Sequence, residues 1–403
     1  MSTVPERVAA LAAQLAASGD LNSGRWHRAL RGVPRHLFIP NLALAAPADS
    51  EIPYLINREE APETWWNAVY SDTAIVTQLD DGATDLAVGT GDYTCSSSAP
   101  GVVIEFLELL DVYDFDEILE IGTGTGWTAA LLSSQLDEKN VTTIEIDPQV
   151  AADAGKNLEA AGYRPHIITG DGADGWPSEA PYDSVHVTCG VADIPYSWVE
   201  QTRPGGFIVL PWIPGYGPGH KVRLRAAGDV AIGRFHGGST YMMMRAQRRG
   251  LPHIEGRPRS STTYLDPRRV TQSSWGADIA ITGMLPGVSS QENDTTDQKD
   301  GTYDFWLWDG QSSAHVVYSP DYKQPTVEQR GPRDLWNETE AAYLEWIKWG
   351  SPGRDRFGMT VTPDGQHIWL DSPDHVVSPA SVTAHAPRSH PPKPATRKGP
   401  AVG

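Results

Sequence analysis

The stretch Glu120-Ile121-Gly122-Thr123-Gly124-Thr125-Gly126-Trp127 decides the fold. It ends the apolar run EILEIG, which begins at Glu117, and it leads into WTAALLSSQL, where apolar residues recur at helical spacing. Glycines at a strand-to-helix turn let the backbone bend tightly and approach a ligand, and the first helical turn offers unpaired N–H groups. A plain tight turn explains such a loop equally well. The reading therefore rests on what surrounds it.

Downstream, short apolar runs alternate with helical segments: VTTIEI, a helix near VAADAGKNLEAAG, PHIITG, DSVHVT, and FIVLPW after a Pro-Gly-Gly turn. Strands alternating with helices specify βαβ units and a parallel sheet with helices on both faces. We expect an α/β fold whose core, a Rossmann-like doubly wound sheet, occupies residues 116–250. Residues 1–115 read as an N-terminal helical cap. It would contain an amphipathic helix over 4–18 (Val8, Leu11, Leu15) and a second after Pro100 (Val103, Phe106, Leu107, Leu110). Residues 251–375 form a C-terminal accessory region in which 291–304 reads as a polar loop. Six of the 14 tryptophans fall between Trp306 and Trp369, enough apolar area for a small core or for docking on the first domain. Residues 376–403, rich in Pro and Ala, read as a disordered tail.

The spacing within the loop narrows the ligand. Gly126 follows Gly124 by two residues, where the dinucleotide fingerprint needs three, and no Gly-Lys-Ser/Thr is present for a phosphate loop. Glu145 ends the next strand about 20 residues on, where a carboxylate can accept both hydroxyls of a ribose. Asp171-Gly172 ends the strand after that. A glycine loop facing a small zwitterion, with one acid for the ribose and one for the adenine, suits S-adenosylmethionine, which has no phosphates, with S-adenosylhomocysteine as the product. The alternative is that Glu145 and Asp171 are ordinary strand ends. The fold class is thus a class I S-adenosylmethionine-dependent methyltransferase, with Glu120, Gly122, Thr123, Gly124, Gly126, Glu145, Asp171 and Gly172 as candidate cofactor residues.

Charge and cysteine content exclude several other classes. With 51 acidic and 32 basic residues and a formal charge of −19, a nucleic-acid partner is disfavoured, because phosphate binding draws on Lys and Arg. Cys95 and Cys189, the two cysteines, rule out a disulfide framework and a cysteine-pair zinc site. No metal is expected. No apolar run is long enough to span a bilayer, and the N-terminal residues lack a basic leader. These features suit a cytoplasmic protein.

The same residues carry a family resemblance. From Ile118 to Trp212 the chain resembles the protein-L-isoaspartate (D-aspartate) O-methyltransferases: EIGTGTGW, TTIEID, GDG, APYDSVHV and RPGGFIVLP occur in order. VPRHLFIP at 33–40, VYSD at 69–72 and SSAP at 97–100 match that family's N-terminal signatures. Two departures stand out: the insertion LDDGATDLAVGTGDY before the serine run, and the length that follows the sheet. Extended members of this kind resemble enzymes that act on ribosomally made peptides such as graspetides, lanthipeptides and lasso peptides, and GRDRFGMTVTPDGQHIWLDSPD at 353–374 looks like their C-terminal region. The resemblance implies methylation of an aspartate in a cyclised precursor peptide, followed by aspartimide formation. Repair of isoaspartate in damaged proteins is one alternative, and a non-catalytic protein that binds and presents the precursor is another.

By the same resemblance Ser98 is the catalytic candidate, donating a hydrogen bond to the substrate carboxylate. Ser96 and Ser97 are its possible substitutes, and a serine N-cap for the helix after Pro100 is the plain structural reading. Ser97 and His220 are candidate substrate contacts, although a surface-loop position suits His220 as well. Trp127 reads as packing on adenosine or in the core, and Trp65-Trp66 as core or as a peptide contact.

Overall fold

The computed structural model describes residues 2–47, 52–250, 252–293 and 301–379. Helix α1 (Val4–Ser18) buries Val8, Leu11, Ala12 and Leu15, the 3–4 spacing of one helical face, and ends at Gly19 with φ 88°. Helix α2 (Gly24–Gly32) follows, capped by the Ser23 hydroxyl, which accepts the Trp26 N–H. The N-terminal region is not simply helical, however. Strands β1 (Leu42–Ala46), β2 (Tyr54–Asn57), β3 (Ala74–Leu79) and β4 (Tyr93–Ser97) form an antiparallel sheet in the order β2-β1-β3-β4. The short runs LALAA and YLIN were too brief to show a period of two. Helix α3 (Pro62–Val69) lies between β2 and β3, and α4 (Pro100–Leu110) follows β4 with seven of its residues buried.

The central sheet begins where the sequence places it. Strands β5 (Ile118–Ile121), β6 (Val141–Glu145), β7 (His166–Thr169), β8 (Tyr182–Val187) and β9 (Thr202–Trp212) pair in parallel in the order β7-β6-β5-β8-β9. Helices α5 (Trp127–Gln135), α6 (Pro148–Ala161) and α7 (Tyr196–Glu200) supply the crossovers. Helix α6 has sharp boundaries: the Asp147 carboxylate accepts the N–H groups of Gln149 and Val150, Pro148 opens the first turn, and Gly162 closes it at φ 89°. Strands β10 (Gly219–Ala226) and β11 (Ala231–Ser239) continue the sheet antiparallel.

Beyond β11 the chain builds a five-stranded antiparallel sheet from β12 (Arg259–Thr262), β13 (Ser289–Asn293), β14 (Tyr303–Trp308), β15 (Ser313–Tyr318) and β16 (Thr326–Arg330), in the order β12-β16-β15-β14-β13. Helices α8 (Pro267–Thr271), α9 (Trp275–Met284) and α10 (Leu335–Lys348) accompany it. The expected polar loop at 291–304 is therefore corrected at both ends, since Gln291–Asn293 lie in β13 and Tyr303–Asp304 in β14; residues 294–300 lie outside the described residues. The chain then returns. Strands β17 (Phe357–Thr362), β18 (Gly365–Leu370) and β19 (Val376–Val377) pair onto β11 and extend the central sheet to ten strands. A boundary at 250 thus separates segments that share one sheet and one apolar cluster, which runs from Leu119 and Val185 through Ile279 and Trp336 to Met359 and Val377. Most of the expected tail, 380–403, lies outside the described residues, whereas 376–379 are described and include β19.

Gly358 shows how closely the returning hairpin is fitted. It pairs with Trp369, and a Cβ at this position would sit 2.1 Å from the indole ring. Trp369 in turn lies 4.4 Å beneath the Arg234 guanidinium. We predict that Gly358→Ala destabilises the whole protein by about 1–3 kcal/mol in urea unfolding, and that a second change, Trp369→Leu, restores part of the loss. A loss confined to residues beyond 251 in hydrogen exchange would contradict a shared sheet.

Candidate active site

The glycine loop takes a shape that side chains would obstruct. Gly122, Gly124 and Gly126 have φ of 95°, 54° and 90°, all in the left-handed region. A Cβ on Gly122 would meet the Thr188 hydroxyl at 2.5 Å. The N–H groups of Gly122 and Thr123 donate to the Ile144 carbonyl, and the Gly124 N–H donates to Glu145 Oε2 at 3.0 Å. Loop and ribose strand are thereby tied together, and Gly122, Thr123, Gly124, Glu145, Asp171 and Gly172 all line one cavity. Asp171 Oδ1 accepts the Ala173 N–H, which fixes its carboxylate at the strand end.

Two of the proposed cofactor residues lie elsewhere. Glu120 is fully buried beneath the loop and does not line the cavity. Its Oε2 accepts the Thr143 hydroxyl at 2.6 Å, and Thr143 is 2.7 Å from the Thr123 hydroxyl, so Glu120 supports the loop from below. Its place on β5 explains this, because Glu120 lies opposite Thr143, two residues short of the strand end that Glu145 occupies on β6. Gly126 is also absent from the lining. It is the N-cap of α5 and packs against Leu158.

The serine run forms the opposite wall, and Ser96, Ser97 and Ser98 all line the cavity. The N-cap reading does not hold, since the cap of α4 is Ala99 with no side-chain bond, and the Asp72 carboxylate accepts the Gly101 N–H instead, at 2.7 Å. Ser97 is buried with its hydroxyl toward Arg35 Nε at 3.4 Å, whereas the Ser98 side chain neighbours that of the buried Tyr241. Arg35 organises this wall. Its guanidinium is 1% exposed and donates to the carbonyls of Val69, Thr73, Ser97 and Ser98 at 2.9–3.1 Å and to that of Ser71 at 3.4 Å. Burial lowers its pKa to about 9, against the opposing pull of Asp72, so it remains charged near neutrality. In the sequence this role has one signal, a single arginine between a proline and an apolar run in VPRHLFIP, which does not by itself point to a buried cation.

His220 is corrected. It is 1% exposed on β10 and packs among Trp212, Phe235 and Trp275 with ring centroids 5.5–6.0 Å apart, outside the cavity lining. Burial drops its pKa to about 3, so it is neutral. Trp127 lines the cavity, and its indole N–H reaches the Val33 carbonyl at 3.3 Å. Trp65 is buried with its indole N–H on the Pro40 carbonyl, a core role.

The roof was not foreseen. After β11 the segment 240–249 crosses above the cavity, where the Gly190 N–H donates to the Met242 carbonyl and the Met244 N–H to the Gly190 carbonyl, both at 2.8 Å. Met242, Met243, Met244, Arg245 and Arg248 line the cavity from this side. The inserted residues between β3 and β4 meet them: Arg245 pairs with Asp81 at 3.0 Å and with Asp147 at 3.2 Å, and Arg248 holds Asp81 through two contacts of 2.8 and 2.9 Å. Gln78 donates to Asp147 and accepts from Thr94, and Thr94 accepts the Asp81 N–H, which completes a polar ring.

This donor set fits S-adenosylmethionine: backbone turns with no Cβ, a fixed acid at each of two strand ends, and three carboxylates to face a sulfonium. Cys95 and Cys189 are both pushed up to about 12 by burial and stay protonated. No group of three or more His, Cys, Asp or Glu able to hold a metal ion occurs among the described residues, and no described helix is long and apolar enough to cross a membrane.

Fold and site together define a class I S-adenosylmethionine-dependent methyltransferase. The family model for protein-L-isoaspartate (D-aspartate) O-methyltransferase matches residues 56–217. The protein-L-isoaspartate O-methyltransferase 2 of Archaeoglobus fulgidus is 35% identical over 195 residues, which cover 48% of this chain and 73% of that one. The corresponding protein of Thermococcus onnurineus is 45% identical over 116 residues, or 28% of this chain, and the match spans about half (52%) of its length. A solved structure titled protein-L-isoaspartate O-methyltransferase aligns along its whole length with 91% of this chain at a TM-score of 0.51 and 20% identity. The chain belongs to the protein-L-isoaspartate (D-aspartate) O-methyltransferase family.

Two outcomes test the site. Ser98→Ala should lower turnover while changing cofactor affinity less than about twofold, whereas Glu145→Ala should weaken cofactor binding by tenfold or more, on the order of one lost charged hydrogen-bond pair; calorimetry with S-adenosylhomocysteine reads both. Glu120 gives a pH signature. Burial, reinforced by the nearby Glu145 charge, raises its pKa from 4.5 to about 8. The folded state therefore binds more protons than the unfolded state between these values, and stability falls as pH rises from about 4.5 to 8, by up to ~1.4 kcal/mol per pH unit. Glu120→Gln should flatten that slope in urea melts, and an unchanged slope would assign the proton elsewhere.

Proposed function

We propose that this protein transfers a methyl group to the side-chain carboxylate of an aspartate in a ribosomally made, cyclised peptide, after which the next backbone nitrogen displaces methanol to leave an aspartimide. The bound cofactor supplies an electrophilic methyl on a sulfonium. An aspartate with an ordinary pKa near 3.9 is already the anionic nucleophile at neutral pH, so no general base is required. The work of the chain is placement and exclusion of water. The Ser98 hydroxyl donates to one carboxylate oxygen and leaves the other aimed at the methyl. Met242, Met243 and Met244 keep that approach apolar.

The observation that supports the dedicated-peptide reading is the roof: the inserted residues 79–93 are clamped to the 240–249 segment through Asp81. A cavity roofed by its own insertion suits one shaped substrate better than the many sequences a repair enzyme must accept. The second reading, methylation of isoaspartate in damaged proteins, is favoured by the names of the relatives. The appended C-terminal region no longer separates the two readings, because a structure bearing the repair enzyme's name aligns with 91% of this chain.

Incubation with S-adenosylmethionine and either the co-encoded precursor, before and after cyclisation, or a linear isoaspartyl peptide decides between them. The expected outcome is a gain of one methyl on the cyclised peptide followed by loss of methanol, read by mass spectrometry. Equal turnover of the linear isoaspartyl peptide would favour repair, and no methyl gain on any acceptor would remove both readings.

A further inference from the structure

Arg245 and Arg248 are the cationic side chains among the described residues lining the cavity, which also presents Glu145, Asp147 and Asp171. An aspartyl substrate brings another negative charge into a cavity already rich in acids, within a protein of formal charge −19. The two guanidiniums converge on a single carboxylate, that of Asp81. Arg248 grips it at both oxygens, the geometry in which a guanidinium recognises carboxylates best. Arg245 keeps further donor capacity, because its Nε is buried without a hydrogen-bond partner among the described residues.

Asp81 reaches this position from an unfavourable backbone. Asp80 and Asp81 have φ of 48° and 53°, in the left-handed region that costs a residue with a Cβ. Asp81 is also 40% exposed, and its turn is held by contacts that do not involve the arginines: the Asp81 N–H on Thr94, Asp80 on the backbone of Asp92, the Ala83 N–H on the Asp80 carbonyl and a bridge between Leu79 and Thr84, so the turn keeps its place when the carboxylate is released. A carboxylate held by two arginines on a strained, solvent-facing turn is one that an external carboxylate can replace.

We infer that Arg245 and Arg248 form a carboxylate subsite for the peptide substrate, one that receives an acidic residue beside the methyl acceptor and is filled by Asp81 in the free enzyme. The inference deepens the carboxyl-methylation reading above and rests on it. Arg248 is then a specificity-determining residue, and Asp81 competes with the substrate.

The test uses two versions of whichever acceptor above is methylated, one with Glu and one with Gln next to the acceptor residue. Wild type should prefer the Glu peptide by about tenfold in kcat/KM, expressed in KM, the scale of one charge-assisted pair. In Arg248→Gln the ratio should fall to about one, and in Asp81→Asn it should rise above the wild-type value. Active-site titration with S-adenosylhomocysteine normalises each variant. If Arg248→Gln does not fold, Arg248→Lys replaces it, with an intermediate ratio expected because the charge stays and the fork is lost. A wild-type ratio near one, or a ratio that survives in the Arg248 variant, overturns the subsite while leaving the methyltransferase reading intact. Failure of wild type to methylate any acceptor overturns that reading and the subsite with it.

Discussion

The arrangement of this molecule depends on one buried cation. Arg35 sits between the N-terminal helices and the serine strand with no carboxylate in hydrogen-bonding contact among the described residues, and its charge is distributed over five backbone carbonyls. Those carbonyls come from two stretches far apart in sequence, 69–73 and 97–98. Its guanidinium also lies 5.3 Å from the Trp127 ring centroid, the residue that opens the helix after the glycine loop. The acceptor wall and the cofactor loop therefore share one anchor. Removing the cation would strand five carbonyls in the interior, a far larger cost than any single surface contact in the protein.

The sequence made the parallel sheet legible because a buried strand flanked by turn residues and helices leaves an unmistakable rhythm; EILEIG and VTTIEI are read almost to the residue. Glu145 and Asp171 stand out because each follows such a strand, whereas Ser98 stands out only through the resemblance of SSAP. What stayed hidden was hidden for physical reasons. Glu120 and Glu145 are both acids on adjacent strands and on one face of the sheet, and only their depth, Glu120 opposite Thr143 and Glu145 at the strand end, tells which one reaches the cavity. His220 looked like a loop residue because Pro and Gly precede it, yet β10 carries it into an aromatic cluster. The strap at 240–249 has no periodicity at all, since its shape is fixed by two hydrogen bonds to Gly190 rather than by its own pattern. Arg245 and Arg248 were visible as charges but not as partners of a residue more than 160 positions away.

Beneath the cofactor loop a different economy operates. Glu120, Thr143 and Thr123 form a short hydrogen-bonded chain in a space closed to water. Because burial holds the Glu120 carboxyl near its protonated form, the chain contributes hydrogen bonds without adding a full negative charge directly under the loop. Glu145, part-buried at the end of β6, lines the cavity where a ribose and a sulfonium would sit. Two carboxylates on neighbouring strands are thus assigned opposite electrostatic duties by depth alone.

The return of β17, β18 and β19 to the edge of β11 bears on the order in which the protein can be made. The edge strand of the catalytic sheet is laid down at residue 239, but its neighbour does not exist until residue 357 has been synthesised, and more than a hundred intervening residues must first be accommodated. During that interval a growing chain presents the open backbone of β11, together with the apolar residues that later pack on Met359 and Val361. Of what emerges next, α9 reaches β11 through Trp275, whose ring lies against Gly238.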